Sequence, residues 1–148
     1  MNPNIATRPI TAQETYALRG TILRPNQPKK DLVFTGDTAG DTFHAGAFSD
    51  DKLIGVASAF HENPPFDPTI NGWRLRGMAV VEKLRGMGYG RALLRTCMKF
   101  ITEQGGVVVW CNSRTYAIPF YISMGFAVHG DEFDIPTIGP HYVMWRHV

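Results

Sequence analysis

Between Trp73 and Asn112 the chain has to leave a strand, make a helix and return as a strand. "WRLRGMAVV" sets Trp73, Leu75 and Gly77 against Arg74, Arg76 and Met78 and ends apolar on both faces. Tyr89 to Gln104 carries a helical stripe of Tyr89, Leu93, Cys97 and Phe100, with Leu94 and Ile101 beside it. Gly105-Gly106 ends that helix, since glycine accepts the left-handed conformation past a last turn. "VVVWCN" then reads as a short strand apolar on both faces, suited to a sheet centre. A strand–helix–strand unit needs a crossover, whereas a hairpin makes antiparallel neighbours.

The flanks supply the hairpins. "TFHAGAFSD" and "KLIGVASAFHE" meet at Ser49-Asp50-Asp51, which has turn chemistry. "FAVHGDEFDI" and "HYVMWRHV" read as two closing strands around "PTIGP". "NIATRPI" reads as a first strand. Thr11 and Glu14 then form the T-x-x-E pattern of a capping box, and Pro25 stops the helix that follows. "NQPKKDLVFTGDTAGD" reads as a surface loop with room for a short helical turn. "RTYAIPFYISM" reads as a shorter helix, with Pro119 tolerated in its first turn and Gly125 at its end. The expected order is strand, helix, three strands, helix, strand, helix, two strands. That order gives an α/β (α+β) fold: a mixed, mostly antiparallel sheet of about seven strands with helices on both faces.

Composition narrows the classes. A chain of 148 residues suits one domain, 1–148, and 44% hydrophobic with 19% charged residues is ordinary for a soluble globular protein. A net charge of +2 marks no general nucleic-acid binder, and no basic cluster surrounds Trp73, Trp110 or Trp145. No stretch has the ~20 apolar residues of a membrane span, so a soluble, cytoplasmic protein is the default. Cys97 and Cys111 lie in apolar surroundings outside any CxxC or His-rich cluster, so they read as core residues with no metal site.

"RGMGYG" places Gly86, Gly88 and Gly90 between a strand end and a helix start, flanked by Arg85 and Arg91. The first N–H groups of a helix lack internal partners and, with the helix dipole, attract anions. Glycine lets the backbone approach a phosphate closely, and the two arginines suit one. A strand-to-helix corner with nothing bound is the plainer reading of three glycines alone. A Walker loop needs G-x-x-x-x-G-K-[ST], which is missing. The dinucleotide fingerprint needs a different spacing in the first unit of the chain.

The wider pattern resembles a family. Arg85-Gly86-Met87-Gly88-Tyr89-Gly90 is similar to the [QR]-x-x-G-x-[GA] signature of the GNAT superfamily of acetyl-CoA-dependent N-acetyltransferases. "LRGMAVV" before it and "RALL" after it resemble the superfamily's strand and helix. "SRTYAIPFYISMGF" resembles the second block, A-R-x-x-A-x-x-F-Y-x-x-x-G-F, with Ser113 in first position. The resemblance is specific from about Leu75 to Phe126 and rests on element order before Trp73.

That resemblance implies roles. Amides of Gly86, Met87, Gly88, Tyr89 and Gly90, with Arg85 and Arg91, would hold the coenzyme A pyrophosphate. Met78, Ala79 and Val80 would offer backbone groups to the pantetheine arm in a cleft between the fourth and fifth strands, and Asn112 would stand at its mouth. Tyr121 matches the tyrosine that serves the departing thiolate. The superfamily's glutamate on the strand before the loop has no counterpart here: Arg74 and Arg76 occupy that strand, and Glu82 is too near the loop. Glu62, His61 and His141 are the candidates for the base, a histidine because it changes charge near neutral pH. Arg76 is a candidate for an acidic group on the acceptor. The activity implied is direct acetyl transfer to an amine, a small molecule first and a protein N-terminus or lysine second. A non-catalytic acyl-CoA-binding module and a nucleotide-binding regulator are the rival classes. The terminal strands offer an edge for a homodimer.

Overall fold

A computed structural model of the chain describes residues 5–148, and its elements follow the expected order. They are β1 (Ala6–Pro9), α1 (Ala12–Leu18), β2 (Phe43–Ser49), β3 (Lys52–Phe60), β4 (Gly72–Val80), α2 (Tyr89–Glu103), β5 (Val108–Arg114), α3 (Ile118–Ser123), β6 (Ala127–Ile135) and β7 (Gly139–His147). The part of the expected first strand before Ile5 lies outside the described residues. The seven strands form one sheet in the order β1-β2-β3-β4-β5-β7-β6. Every neighbouring pair is antiparallel except β4 and β5, the two strands joined through the α2 crossover.

Local chemistry sets most of the boundaries. Thr11 caps α1 through its hydroxyl, and the Glu14 carboxylate accepts from the Thr11 N–H in return. Asp50 and Asp51 both take positive φ in the β2–β3 turn. Such a turn matches the twist of its strands. Gly105 takes φ of +79° past α2, and the Gly106 N–H returns to the Ile101 carbonyl at 2.9 Å.

The α2 face of the sheet holds the main core. Trp73, Leu75, Val109 and Cys111 pack there with Leu93, Leu94, Cys97 and Ile101 of α2. The opposite face carries α1 and the segment after it. That segment does not run as one α-helix to Pro25. It widens after Leu18 into a π-helical turn over Arg19–Leu23, closed by the bond from the Arg24 N–H to the Arg19 carbonyl. Arg19 is thereby fully buried beneath β4.

The stretch read as a surface loop is more than that. It contains the expected short turn, a 3-10 helix over Lys29–Leu32, but Phe34 and Asp37 within it are buried. Asp37 forms a forked pair with Arg19 at 2.7 and 3.0 Å and also accepts from the Phe34 N–H at 2.8 Å. Arg19 further donates to Ser58 at 3.2 Å, and Ser58 bonds His44 at 2.6 Å. The carboxylate pairs with both terminal nitrogens of the guanidinium, leaving only Arg19 Nε without a partner among the described residues, which is why a polar segment can lie there.

Strict alternation along β4 also fails at one point. The register passes from Ser58↔Arg76 to Val56↔Ala79, so Gly77 and Met78 together oppose Ala57. This β-bulge turns Met78 away from Arg74 and Arg76 and onto the α2 core, near Gly90. Gly77 takes φ of +70°, and a Cβ there would lie 3.0 Å from the Phe34 ring and 3.3 Å from Arg19 Nε. Only glycine fits both constraints.

Candidate active site

β4 and β5 pair only over Gly72↔Val108, Trp73↔Val109 and Arg74↔Trp110. Beyond Arg74 they diverge, and Leu75 to Val80 have β3 on one side only. β5 keeps β7 as its partner along its whole length. The sheet is thus forked, with unpaired β4 backbone along one prong.

At the tip of that prong stands the glycine loop. Gly86 and Gly88 take φ of +78° and +95°, and a Cβ on Gly86 would meet nothing within 4 Å. Among the described residues, no amide from Gly86 to Arg91 has a hydrogen-bond acceptor, and α2 has no side-chain cap. Arg85 and Arg91 are exposed beside them. A run of free N–H groups at a helix start, with guanidiniums alongside, has the chemistry to accept an anion such as a diphosphate.

A cavity of about 280 Å³ occupies the fork. Its two sides come from opposite faces of the sheet. Tyr121 of α3 lies on the α2 side with Cys111, in the core cluster. On the α1 side, Asn112 and Arg114 of β5 sit beside Val143 and His141 of β7, directly opposite in register and so on one face. Arg74 and Arg76 of β4, Arg24, Phe34, Ile135 at the end of β6 and Ile138 of the β6–β7 turn complete that side.

Comparison with known proteins identifies the arrangement. Residues 12–126 match the model of the Acetyltransferase (GNAT) family. The chain is 35% identical over 142 residues to the uncharacterized N-acetyltransferase YitI of Bacillus subtilis (strain 168), covering 96% of this chain and 95% of that protein. The chain belongs to the GNAT family. Among solved structures, Escherichia coli ElaA superposes with a TM-score of 0.75 at 22% identity, over 96% of this chain and 99% of that one. An aminoglycoside 6'-N-acetyltransferase complexed with coenzyme A gives 0.75 at 14% identity, over 96% of each chain. These two share the fold. The protein is a GNAT acetyltransferase with acetyl-CoA as cosubstrate, and its free loop amides and free β4 edge fit that molecule. Among the described residues, no group of three or more His, Cys, Asp or Glu is placed to hold a metal ion, and no helix is long and apolar enough to cross a membrane.

Within this GNAT fold the residues singled out by sequence separate into three places. Gly86, Met87, Gly88, Tyr89, Gly90, Arg85 and Arg91 form the loop and helix start, and Met78, Ala79 and Val80 lie on the unpaired prong. Tyr121, Asn112 and His141 line the cavity with Met78 and Arg76. Glu62 and His61 do neither. Glu62 is half exposed and pairs with Arg74 at 3.5 Å, while His61 stacks on Trp73 and bonds Asp41 and Asn71. β3 is antiparallel to β4, so its last residues reach the closed end of the fork, away from the opening.

Tyr121 and Cys111 touch, and burial governs both. It raises the Tyr121 hydroxyl well above the usual phenol range, with the neighbouring Cys111 thiol adding to the effect. Tyr121 therefore keeps its proton at any working pH and is available as a hydrogen-bond donor. Burial also pushes the Cys111 thiol up to about 12, which leaves it un-ionised and a poor nucleophile.

The same burial sets an alkaline limit on stability. Cys97 is likewise pushed up to about 12. An unfolded thiol ionises near pH ~8.5, so above that the unfolded chain sheds protons that the folded chain retains. Stability is fully present below that pH and is lost as pH rises toward 12. Urea midpoints should fall steadily from pH 9 to 11, and a Cys97→Ala variant should show a shallower fall. A parallel fall in both proteins would remove Cys97 as a contributor.

The GNAT motifs did not point to Arg19, Phe34 or Asp37, whereas Arg114 stands at the arginine of the second block. The signal for Phe34 and Asp37 was one aromatic inside a polar stretch, with an acidic residue three positions on.

Proposed function

We propose that this GNAT protein transfers the acetyl group of acetyl-CoA directly to the amine of a small molecule, with Tyr121 as the acid and His141 as the base. The observation that carries the reading is that these two side chains line one cavity from opposite faces of the forked sheet. Donor and acceptor would then meet in the gap without competing for one surface.

Each residue's surroundings fit its role. The His141 Nδ1 lies 2.7 Å from the Gly139 carbonyl, to which it must donate. In the neutral ring that places the lone pair on Nε2, which has no hydrogen bond among the described residues. Nε2 would take a proton from the ammonium, directly or through one water. The freed amine forms a C–N bond to the thioester carbonyl carbon and the C–S bond breaks; the nitrogen gives up its second proton and the departing sulfur takes one through the Tyr121 hydroxyl. Asn112, beside Val143 on the acceptor face, is placed to orient either substrate.

The test is a pair of variants assayed by thiol release over a screen of amines. His141→Ala should lower kcat/KM by about 10²-fold or more at neutral pH, with the loss shrinking as pH rises and free amine accumulates. Glu62→Ala should stay within about threefold of the parent. The reverse ranking would transfer the base role to Glu62.

A further inference from the structure

Four guanidiniums line the cavity, those of Arg24, Arg74, Arg76 and Arg114, and no Asp or Glu does. Carboxylates offset them only in part, Asp31 acting on Arg24 and Glu62 on Arg76 without forming ion pairs. Arg24 donates to the Asp31 carbonyl at 2.9 Å and Arg114 to the Leu23 carbonyl at 3.0 Å. Arg76 lies over the Phe34 ring, 4.0 Å from its centroid, with no carboxylate within ion-pair distance among the described residues. Arg74 alone has one, the half-exposed Glu62 at 3.5 Å. Asp37 is already committed to the buried Arg19. The phosphates of acetyl-CoA do not balance this charge, since their cradle lies at the far end of β4.

Such a cavity disfavours a plain ammonium. An acceptor that brings only positive charge would be repelled by the four cations, whereas one that carries an anion beside its amine would be drawn in. Building on the acetyl-transfer reading, we propose that the acceptor is a carboxylate-bearing amine of amino-acid size, with its carboxylate held by Arg76 and Arg114 and its nitrogen toward His141. Arg76 comes from β4 and Arg114 from β5, so the two bracket the fork. The guanidinium fork is the natural partner of a carboxylate. Burial and the neighbouring Arg74, Arg24 and Arg19 draw Arg76 down to about 10, as expected of a cation waiting for a counter-ion.

The experiment compares L-amino acids with their carboxamides and with the amines lacking the carboxyl group. Acetyl-CoA is the donor and thiol release the readout. The acids should be preferred in kcat/KM by about ten- to hundredfold, the range of a charge-assisted hydrogen bond. Arg76→Gln should raise the KM for an acid by a similar factor and leave the carboxamide unaffected, with Arg114→Gln as the second variant. Carboxamides or polyamines acetylated as well as the acids would overturn the proposal and leave the transferase reading standing. Absence of turnover with every amine would count against the transferase reading itself. In that event N-acetyl amino acids supply the binding test: thermal stabilisation of the parent but not of Arg76→Gln supports the anion site, and stabilisation of neither overturns it.

Discussion

Tyr121→Phe should lower kcat by about 10²-fold or more while leaving acetyl-CoA affinity within a factor of two. The ring is buried among Phe120, Phe126 and the α2 core, so the variant keeps the packing and loses one oxygen. What disappears is the proton or hydrogen bond offered to the departing sulfur. A KM for acetyl-CoA that stays constant while kcat falls is the mark of an interaction made in the transition state alone. Thermal stability should hardly change, because the side-chain hydrogen-bond partner of the hydroxyl is the weak acceptor Cys111. Full turnover in Tyr121→Phe, with a verified acceptor, would remove the hydroxyl from the chemistry. The assay is steady-state kinetics beside a coenzyme A titration.

The second large effect is on the fold. Asp37→Ala should cost about 3–5 kcal/mol, because it leaves the Arg19 guanidinium buried without its counter-ion. Side-chain exposures of 0% for Arg19 and 2% for Asp37 mean that water cannot replace the lost partner. The loss is a large share of the ~5–15 kcal/mol that such a domain has, and should lower Tm by on the order of 10 °C. The double variant Arg19→Met with Asp37→Ala should recover much of it, since removing both charges removes the desolvation penalty as well. Equal Tm values for single and double variants would contradict that account. Activity should fall in the single variant too. Asp37 holds the Phe34 N–H, and the Phe34 ring supports both Arg76 and Arg24 at the cavity wall.

What the sequence displays is what short-range physics controls. The Thr11 capping box, the Asp50-Asp51 turn, the α2 stripe and the glycine loop each depend on neighbours within a few residues, and each stands where its pattern places it. The Arg19–Asp37 pair was not legible, since it joins a helix to a loop across a turn whose path no local pattern reports. The bulge at Gly77 was not legible either. One extra residue reverses every later side chain, and alternation alone cannot show where it enters. His141 and Glu62 had equal standing as polar residues near strand ends. Strand direction separates them: β7 carries His141 to the open end of the fork beside Arg114, and β3 carries Glu62 to the closed end beside Arg74.

The short β4–β5 seam has a mechanical meaning. Three residue pairs join a leaf of four strands to a leaf of three, so the seam acts as a fulcrum. From Arg74 to Val80 the prong extends about 20 Å, so a rotation of about 3° at the seam moves its tip by about 1 Å. An error of that size between reacting atoms is enough to cost about 10²-fold in rate. Trp73 sits on this fulcrum, and Gly106 backs it so closely that a Cβ would lie 2.7 Å from the indole. A methyl group added at Gly106, far from either substrate, would therefore act as a wedge in the hinge and detune the alignment of donor and acceptor.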